Sequence, residues 1–165
     1  HRVQKFTADG QFIRQWGAKE KVNNIRSALN FLWDESLEGK FYYPAKIAVG
    51  PKDEIYVSDS YNNRVQVFTS EGMFLGKFGG MGIWGGRFRV VSDIAFDPQG
   101  NILVADFYNH RVQRFDPKGD YLDHFGSKGE KEGEFNGPTG LAVDTNGFIY
   151  VADFHNARIQ KIRLK

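Results

Sequence analysis

Short apolar runs rich in Val, Ile, Phe and Tyr recur along the chain, each closed by Gly, Asn, Asp or Pro, and four such runs fill one period of 47 residues. Runs of this length and composition, punctuated by turn residues, predict consecutive antiparallel strands, termed a to d. The period is clearest in Ile-Tyr-Val-Ser-Asp-Ser-Tyr-Asn-Asn-Arg-Val-Gln at 55–66, which returns with few changes at 102–113 and 149–160. Self-similarity at a fixed spacing identifies a repeat architecture, so the period settles the fold class before any local assignment does.

Strand a is expected at 46–49, 93–96 and 140–143, and strand b after turns such as Asp97-Pro98-Gln99-Gly100. Strand c begins at Arg64, Arg111 and Arg158, and strand d ends at Phe78-Gly79 and Phe125-Gly126. A longer link then carries Gly-x-Phe (Gly39 to Phe41, Gly86 to Phe88, Gly133 to Phe135) into the next strand a. Strand b is apolar on consecutive residues, Ile102, Leu103, Val104 and Ala105, so both of its faces must be covered. Stacked four-stranded sheets at this period predict an all-β chain of β-propeller blades.

Asp106-Phe107-Tyr108-Asn109-His110-Arg111-Val112, with its relatives beginning at Asp59 and Asp153, resembles the NHL repeat, named for an Asn-His pair ahead of an apolar residue. The resemblance covers all but residues 18–38, and it implies a blade of a ring that usually has six. Here the strands run c-d, a-b-c-d, a-b-c-d, a-b-c, about three blades and a half-repeat. Residues 1–17 form the partial blade, 18–38 an insertion, and 39–79, 86–126 and 133–165 successive repeats. A half ring leaves end faces wet and strand edges unpaired. Its expected company is the remaining blades of a longer chain, of which this would be the C-terminal part, or a second copy completing the ring.

The first link is 15 residues longer than the second, as Gly17 to Gly79 spans 62 positions and Gly79 to Gly126 spans 47. Within it Val22, Ile25, Leu29 and Leu32, with Trp33 beside them, fall at spacings of three and four. That spacing predicts one amphipathic helix over about residues 21–34, to cap a pocket, dock a partner or pack on its own blade.

The most repeated polar set is Asp-x-x-Asn-x-Arg: Asp59, Asn62, Arg64; Asp106, Asn109, Arg111; Asp153, Asn156, Arg158. A carboxylate at the end of strand b faces a guanidinium at the start of strand c, which reads as a structural clamp on each b-c turn. Three equal copies argue against catalysis.

Aromatic residues in register (Phe6, Phe68, Phe115; Trp16, Phe78, Phe125; Phe41, Phe88, Phe135) are expected in the core between blades. Others are left over. Tyr61, Tyr108 and His155 share one position of the b-c turn, Phe107 and Phe154 precede the latter two, and Tyr42, Tyr43 and Trp84 stand in d-a links. In an up-and-down sheet the b-c and d-a connections leave from the same end, so these rings share one face, a candidate for partner binding.

A net charge of +2 with no single-sign block does not favour nucleic acid held by a broad field. Stacking of single-stranded RNA on Tyr61, Phe107, Tyr108 and Phe154, with Arg87 and Arg89 on its phosphates, is an alternative, as some NHL propellers bind RNA. Having no cysteine excludes disulfides and thiol chemistry. Lyase propellers of the peptidylglycine-amidating type are also similar to this repeat pattern and use histidines with a metal. No such set maps onto His1, His110, His124 and His155, and no phosphate-binding or calcium loop is present. The expectation is a non-catalytic binding or scaffolding propeller without cofactor, catalytic residue or metal. The alternative enzyme class is a metal site completed by absent blades. No apolar stretch approaches the 18 residues of a membrane span, and the compartment stays open.

Overall fold

A computed structural model describes residues 1–22 and 37–163. Apart from its first two positions, the helix expected over residues 21–34, with Ile25, Leu29, Leu32 and Trp33, lies outside the described residues. Strands β1 (Val3–Phe6) and β2 (Phe12–Trp16) form a hairpin, the first partial blade. The second blade is β5 (Pro44–Val49), β6 (Ile55–Asp59), β7 (Arg64–Phe68) and β8 (Phe74–Gly79). The third is β9 (Val91–Phe96), β10 (Ile102–Asp106), β11 (Arg111–Phe115) and β12 (Tyr121–Phe125). The fourth has β13 (Pro138–Val143), β14 (Ile149–Asp153) and β15 (Arg158–Ile162). Each sheet is antiparallel in chain order, which is the up-and-down blade of a β-propeller.

The innermost strands begin two residues earlier than the apolar run announced, at Pro44, Val91 and Pro138, and a register irregularity follows each start. Proline is tolerated as the first residue of a strand, where its missing N–H breaks no ladder bond. Two short strands, β3 (Ala18–Lys19) and β4 (Lys40–Phe41), pair in parallel. Their counterparts in later repeats are the parallel bridges Met81 to Phe88 and Lys128 to Phe135. Residues 18 and 19 therefore belong to the repeat, and the inserted stretch starts after them.

Cores lie between blades, not within them. Tyr56 and Val65 of the second blade meet Phe88, Val91, Ile94, Ile102, Val104 and Phe115 of the third. Leu103, Ala105 and Val112 meet Phe135, Leu141, Ile149 and Val151 of the fourth. Successive residues of β10 point to opposite neighbours, so Ile102 and Val104 serve one core and Leu103 and Ala105 the other. The unbroken apolar run of strand b is thereby explained: all five residues of β10 are buried.

Phe41, Phe68, Phe88, Phe115 and Phe135 are buried as expected of rings in register. Phe6 is not: in the first hairpin it is 50 % exposed, and among the described residues no sheet packs on that side. Each link phenylalanine occupies the space that a Cβ would take at the glycine closing the preceding strand d, Gly17, Gly79 and Gly126, all at positive φ. These glycines let the ring reach the core beneath the strand end.

Candidate functional site: the b-c and d-a face

Every b-c connection is a single turn of 3-10 helix (Ser60–Asn62, Phe107–Asn109, Phe154–Asn156), closed by a residue in the left-handed region, Asn63, His110 or Ala157. The aspartate before the turn is fully buried. Asp106 Oδ2 accepts from Asn109 Nδ2 at 2.8 Å, Arg111 Nε at 3.0 Å and Gln113 Nε2 at 3.0 Å, while Oδ1 accepts from Arg89 N at 2.7 Å. Asp59 and Asp153 repeat this pattern with Asn62, Arg64, Gln66 and with Asn156, Arg158, Gln160.

The arginine and glutamine also donate outward, to backbone carbonyls of the link entering the blade. Arg111 Nη2 reaches Trp84 O and Arg87 O, and Gln113 Nε2 reaches Arg87 O while its Oε1 accepts from Gly86 N. The set thus fastens the d-a link to the blade as well as closing the turn. Burial pushes the Asp106 carboxyl up against the pull of these donors. At the last copy, where Arg158 is 30 % exposed, burial acts the same way but the donors outweigh it and hold Asp153 below the usual carboxylate range.

A second set of bonds joins neighbouring blades. The residue that closes the b-c turn offers a side-chain acceptor to a link N–H of the next blade: Asn63 Oδ1 to Val90 N at 2.8 Å, His110 Nδ1 to Gly137 N at 3.1 Å. His1 Nδ1 does the same for Tyr43 N at 2.9 Å. The three donors all lie at positive φ, 52° at Tyr43, 66° at Val90 and 69° at Gly137. Glycine takes this conformation freely, whereas a side chain pays about 1–2 kcal/mol. Tyr43 and Val90 are held there by the bond to the neighbouring blade.

His110 accepts through Nδ1, so its proton sits on Nε2, and a second proton would remove the acceptor from Gly137 N. Burial, then the nearby Lys128, His155 and Arg89, hold its pKa below the ordinary imidazole value, against the opposing pull of Asp106. A depressed pKa makes this contribution complete above the unfolded value of about 6.5. It is lost as pH falls from there through the folded value. His110→Asn installs the acceptor that Asn63 already uses, without a titrating group. The variant is therefore expected to match the wild type at pH 7.5 and to gain on it progressively toward pH 5 in urea denaturation. A stability difference that does not change with pH would show that the bond does not titrate.

Exposed and half-buried rings gather on this face in two chains. His1, Tyr42, Tyr43 and Tyr61 touch one another, with Tyr42 and Tyr43 at 4.9 Å and Tyr43 and Tyr61 at 5.3 Å between centroids, and Lys21 Nζ stands 5.7 Å over Tyr42. Tyr108, Phe107, His155 and Phe154 form the second, at 4.8, 5.8 and 5.0 Å in that order. Trp84 is 77 % exposed and makes no ring contact among the described residues. Arg87 donates to Gly79 O, whereas the Arg89 guanidinium makes no hydrogen bond among the described residues. Where the starts of β5, β9 and β13 come together they leave a cleft of about 580 Å³, with Tyr43, Tyr61, Val90, Ser92 and Arg2 in its walls.

Among the described residues no three His, Asp, Glu or Cys side chains are grouped to hold a metal ion. No helix among them is long and apolar enough to cross a membrane.

The family profile of the NHL repeat matches residues 41–68, 88–115 and 135–162, together just over half of the chain. Each match runs from the link phenylalanine to the end of strand c. A 46-residue stretch, 28 % of the chain, is 41 % identical to the protein brain tumor of Drosophila melanogaster and covers 4 % of that protein. Among solved structures, virginiamycin B lyase from Staphylococcus aureus superposes on 99 % of the chain with a TM-score of 0.63 at 15 % identity. A protein of unknown function from Bacteroides caccae superposes on 96 % of it with a TM-score of 0.56 at 18 % identity. The chain spans 49 % and 52 % of those two structures, about half of their length. Identities this low establish the shared propeller fold and nothing of the chemistry.

Proposed function

Because the chain belongs to the NHL-repeat family, we propose that it is a non-catalytic propeller segment that binds a protein partner through its b-c and d-a face. The observation that carries this reading is the asymmetry of exposed rings: Tyr43, Tyr61, Tyr108, Phe154 and Trp84 are each at least half exposed and lie in the connections of one face. Exposed rings in contiguous chains are the usual anchors of protein interfaces. The polar sets of the same face are consumed in holding the links, so the repeat chemistry is structural and the contact surface is aromatic. The binding-face residues in this proposal are Tyr42, Tyr43, Tyr61, Trp84, Arg87, Arg89, Phe107, Tyr108, Phe154 and His155. Whether further blades of the same protein or a second copy complete the ring is part of the same proposal.

A photo-reactive benzoylphenylalanine placed at Tyr61 or Phe154 tests it. Each is expected to crosslink one protein species in an extract of the source cells, while the same group at Met73, in a c-d turn of the opposite face, is expected to crosslink none. Equal labelling from both faces, or none from either, would dismiss the reading.

Single-stranded RNA is the second reading, favoured by the backbone pairing of Arg89 with the b-c turn that carries Phe107 and Tyr108, where Tyr108 N donates to Arg89 O at 3.0 Å. It demands binding that weakens steeply with salt and disappears in Arg87→Ala/Arg89→Ala. For a metal-dependent lyase the described residues offer no group of three ligands, so any such site would have to be completed by residues outside them.

A further inference from the structure

The two faces of the ring differ in charge as well as in aromatic content. The a-b and c-d turns, residues 7–11, 50–54, 69–73, 97–101, 116–120 and 144–148, carry eight Asp or Glu against two Lys. The b-c turns, 60–63, 107–110 and 154–157, carry no acidic residue, and the d-a links of the same face, 17–43, 80–90 and 126–137, carry eight Lys or Arg against seven Asp or Glu. The carboxylates that precede them, Asp59, Asp106 and Asp153, are fully buried and each accepts from four donors, so they present no charge to a partner.

Two exposed arginines stand at the cleft. Arg2 lines it; Arg89 is adjacent to its wall residue Val90, and Lys128 stands with Arg89 near His110, one blade further on. Arg89 and Lys128 are exposed and form no ion pair among the described residues. Tyr43 and Val90, which wall the cleft, adopt a backbone conformation that favours glycine and that the third copy gives to Gly137. Side chains kept in an unfavourable conformation at a concave site point to a role for those side chains there.

We propose that this cleft and its cationic rim receive an acidic segment of the partner protein, apolar side chains entering between Tyr43, Tyr61 and Val90 and carboxylates meeting Arg2, Arg89 and Lys128. The proposal rests on the protein-binding reading and names the chemistry of the partner. Charge complementarity selects this occupant: the cations at the cleft attract an acidic segment, whereas the turns of the opposite face, eight acidic residues against two Lys, repel it. The cleft, at about 580 Å³, has room for a few side chains and not for a folded domain.

The test titrates the isotope-labelled 165-residue chain with the hexapeptide Glu-Leu-Glu-Leu-Glu-Leu and follows backbone amide shifts, which register millimolar binding. Saturating shifts are expected at 60–63 and 89–92 and none in the a-b turns. Replacing Glu by Gln in the peptide, changing Arg89 and Lys128 together to Ala, or raising salt from 25 to 250 mM should each weaken binding at least tenfold. Asp120→Asn on the opposite face should leave it unchanged. Absence of shifts, equal binding of the Gln peptide, or saturation by a uridine decamer where the acidic peptide fails would each overturn the proposal. Crosslinking from Tyr61 without peptide shifts would retain a protein partner and remove its acidic character, so the two failures are distinct.

Discussion

Asp106→Ala is expected to lower the stability of the chain by about 3–5 kcal/mol, the loss that follows when one partner of a buried ion pair is removed. A single exposed ion pair would count for little. Here the carboxylate is inaccessible, accepts from Arg89 N, Asn109, Arg111 and Gln113, and leaves all four donors without it. The Arg111 guanidinium stays buried, bonded only to link carbonyls that cannot balance its charge. Asp153→Ala should cost less, because Arg158 is 30 % exposed and water can replace the carboxylate. Urea denaturation of the two variants checks both statements. Equal losses would mean that burial does not set the size of the effect, and a loss below about 1 kcal/mol at Asp106 would mean the clamp carries no net stability.

The clamp also shows what the chain revealed before its structure and what it hid. Three copies of Asp-x-x-Asn-x-Arg stood out because the residue types recur in register. Gln66, Gln113 and Gln160 recur in the same register, but a polar residue in a strand reads as facing water, and only the folded link shows that Gln66 and Gln113 are inaccessible. Their signal was available: three identical polar residues two positions after the clamp arginine. The strand count, the half-repeat ends and the shared face of the leftover rings were legible because turn residues punctuate the chain and an up-and-down sheet alternates its ends. The bonds from Asn63 and His110 to the next blade were not, since the position holds Asn, His and Ala in the three b-c turns and its partner lies 27 residues away.

Asp93 was hidden for the same reason more completely, because Lys46 and Gly140 stand at its positions in the neighbouring repeats. Yet it joins three blades at the innermost strands: Oδ1 accepts from Lys46 Nζ at 3.1 Å and from Ile94 N at 2.7 Å, and Oδ2 accepts from Leu141 N at 2.7 Å. Unlike repeats thus make one contact together, the lysine of β5, the carboxylate of β9 and an N–H of β13. Asp93→Ala is expected to cost about 2–4 kcal/mol, since it leaves the buried Leu141 N–H unpaired as well as breaking the charge-assisted bonds. Lys46 is 40 % exposed on its side chain and can turn to water, so Lys46→Ala should cost no more than about 1 kcal/mol. The contrast separates the two contributions. If the lysine variant loses as much as the aspartate variant, the ion pair is the source of stability. If only the aspartate variant loses, the bond across blades to β13 is the source, and hydrogen exchange at Leu141 should quicken in Asp93→Ala but not in Lys46→Ala.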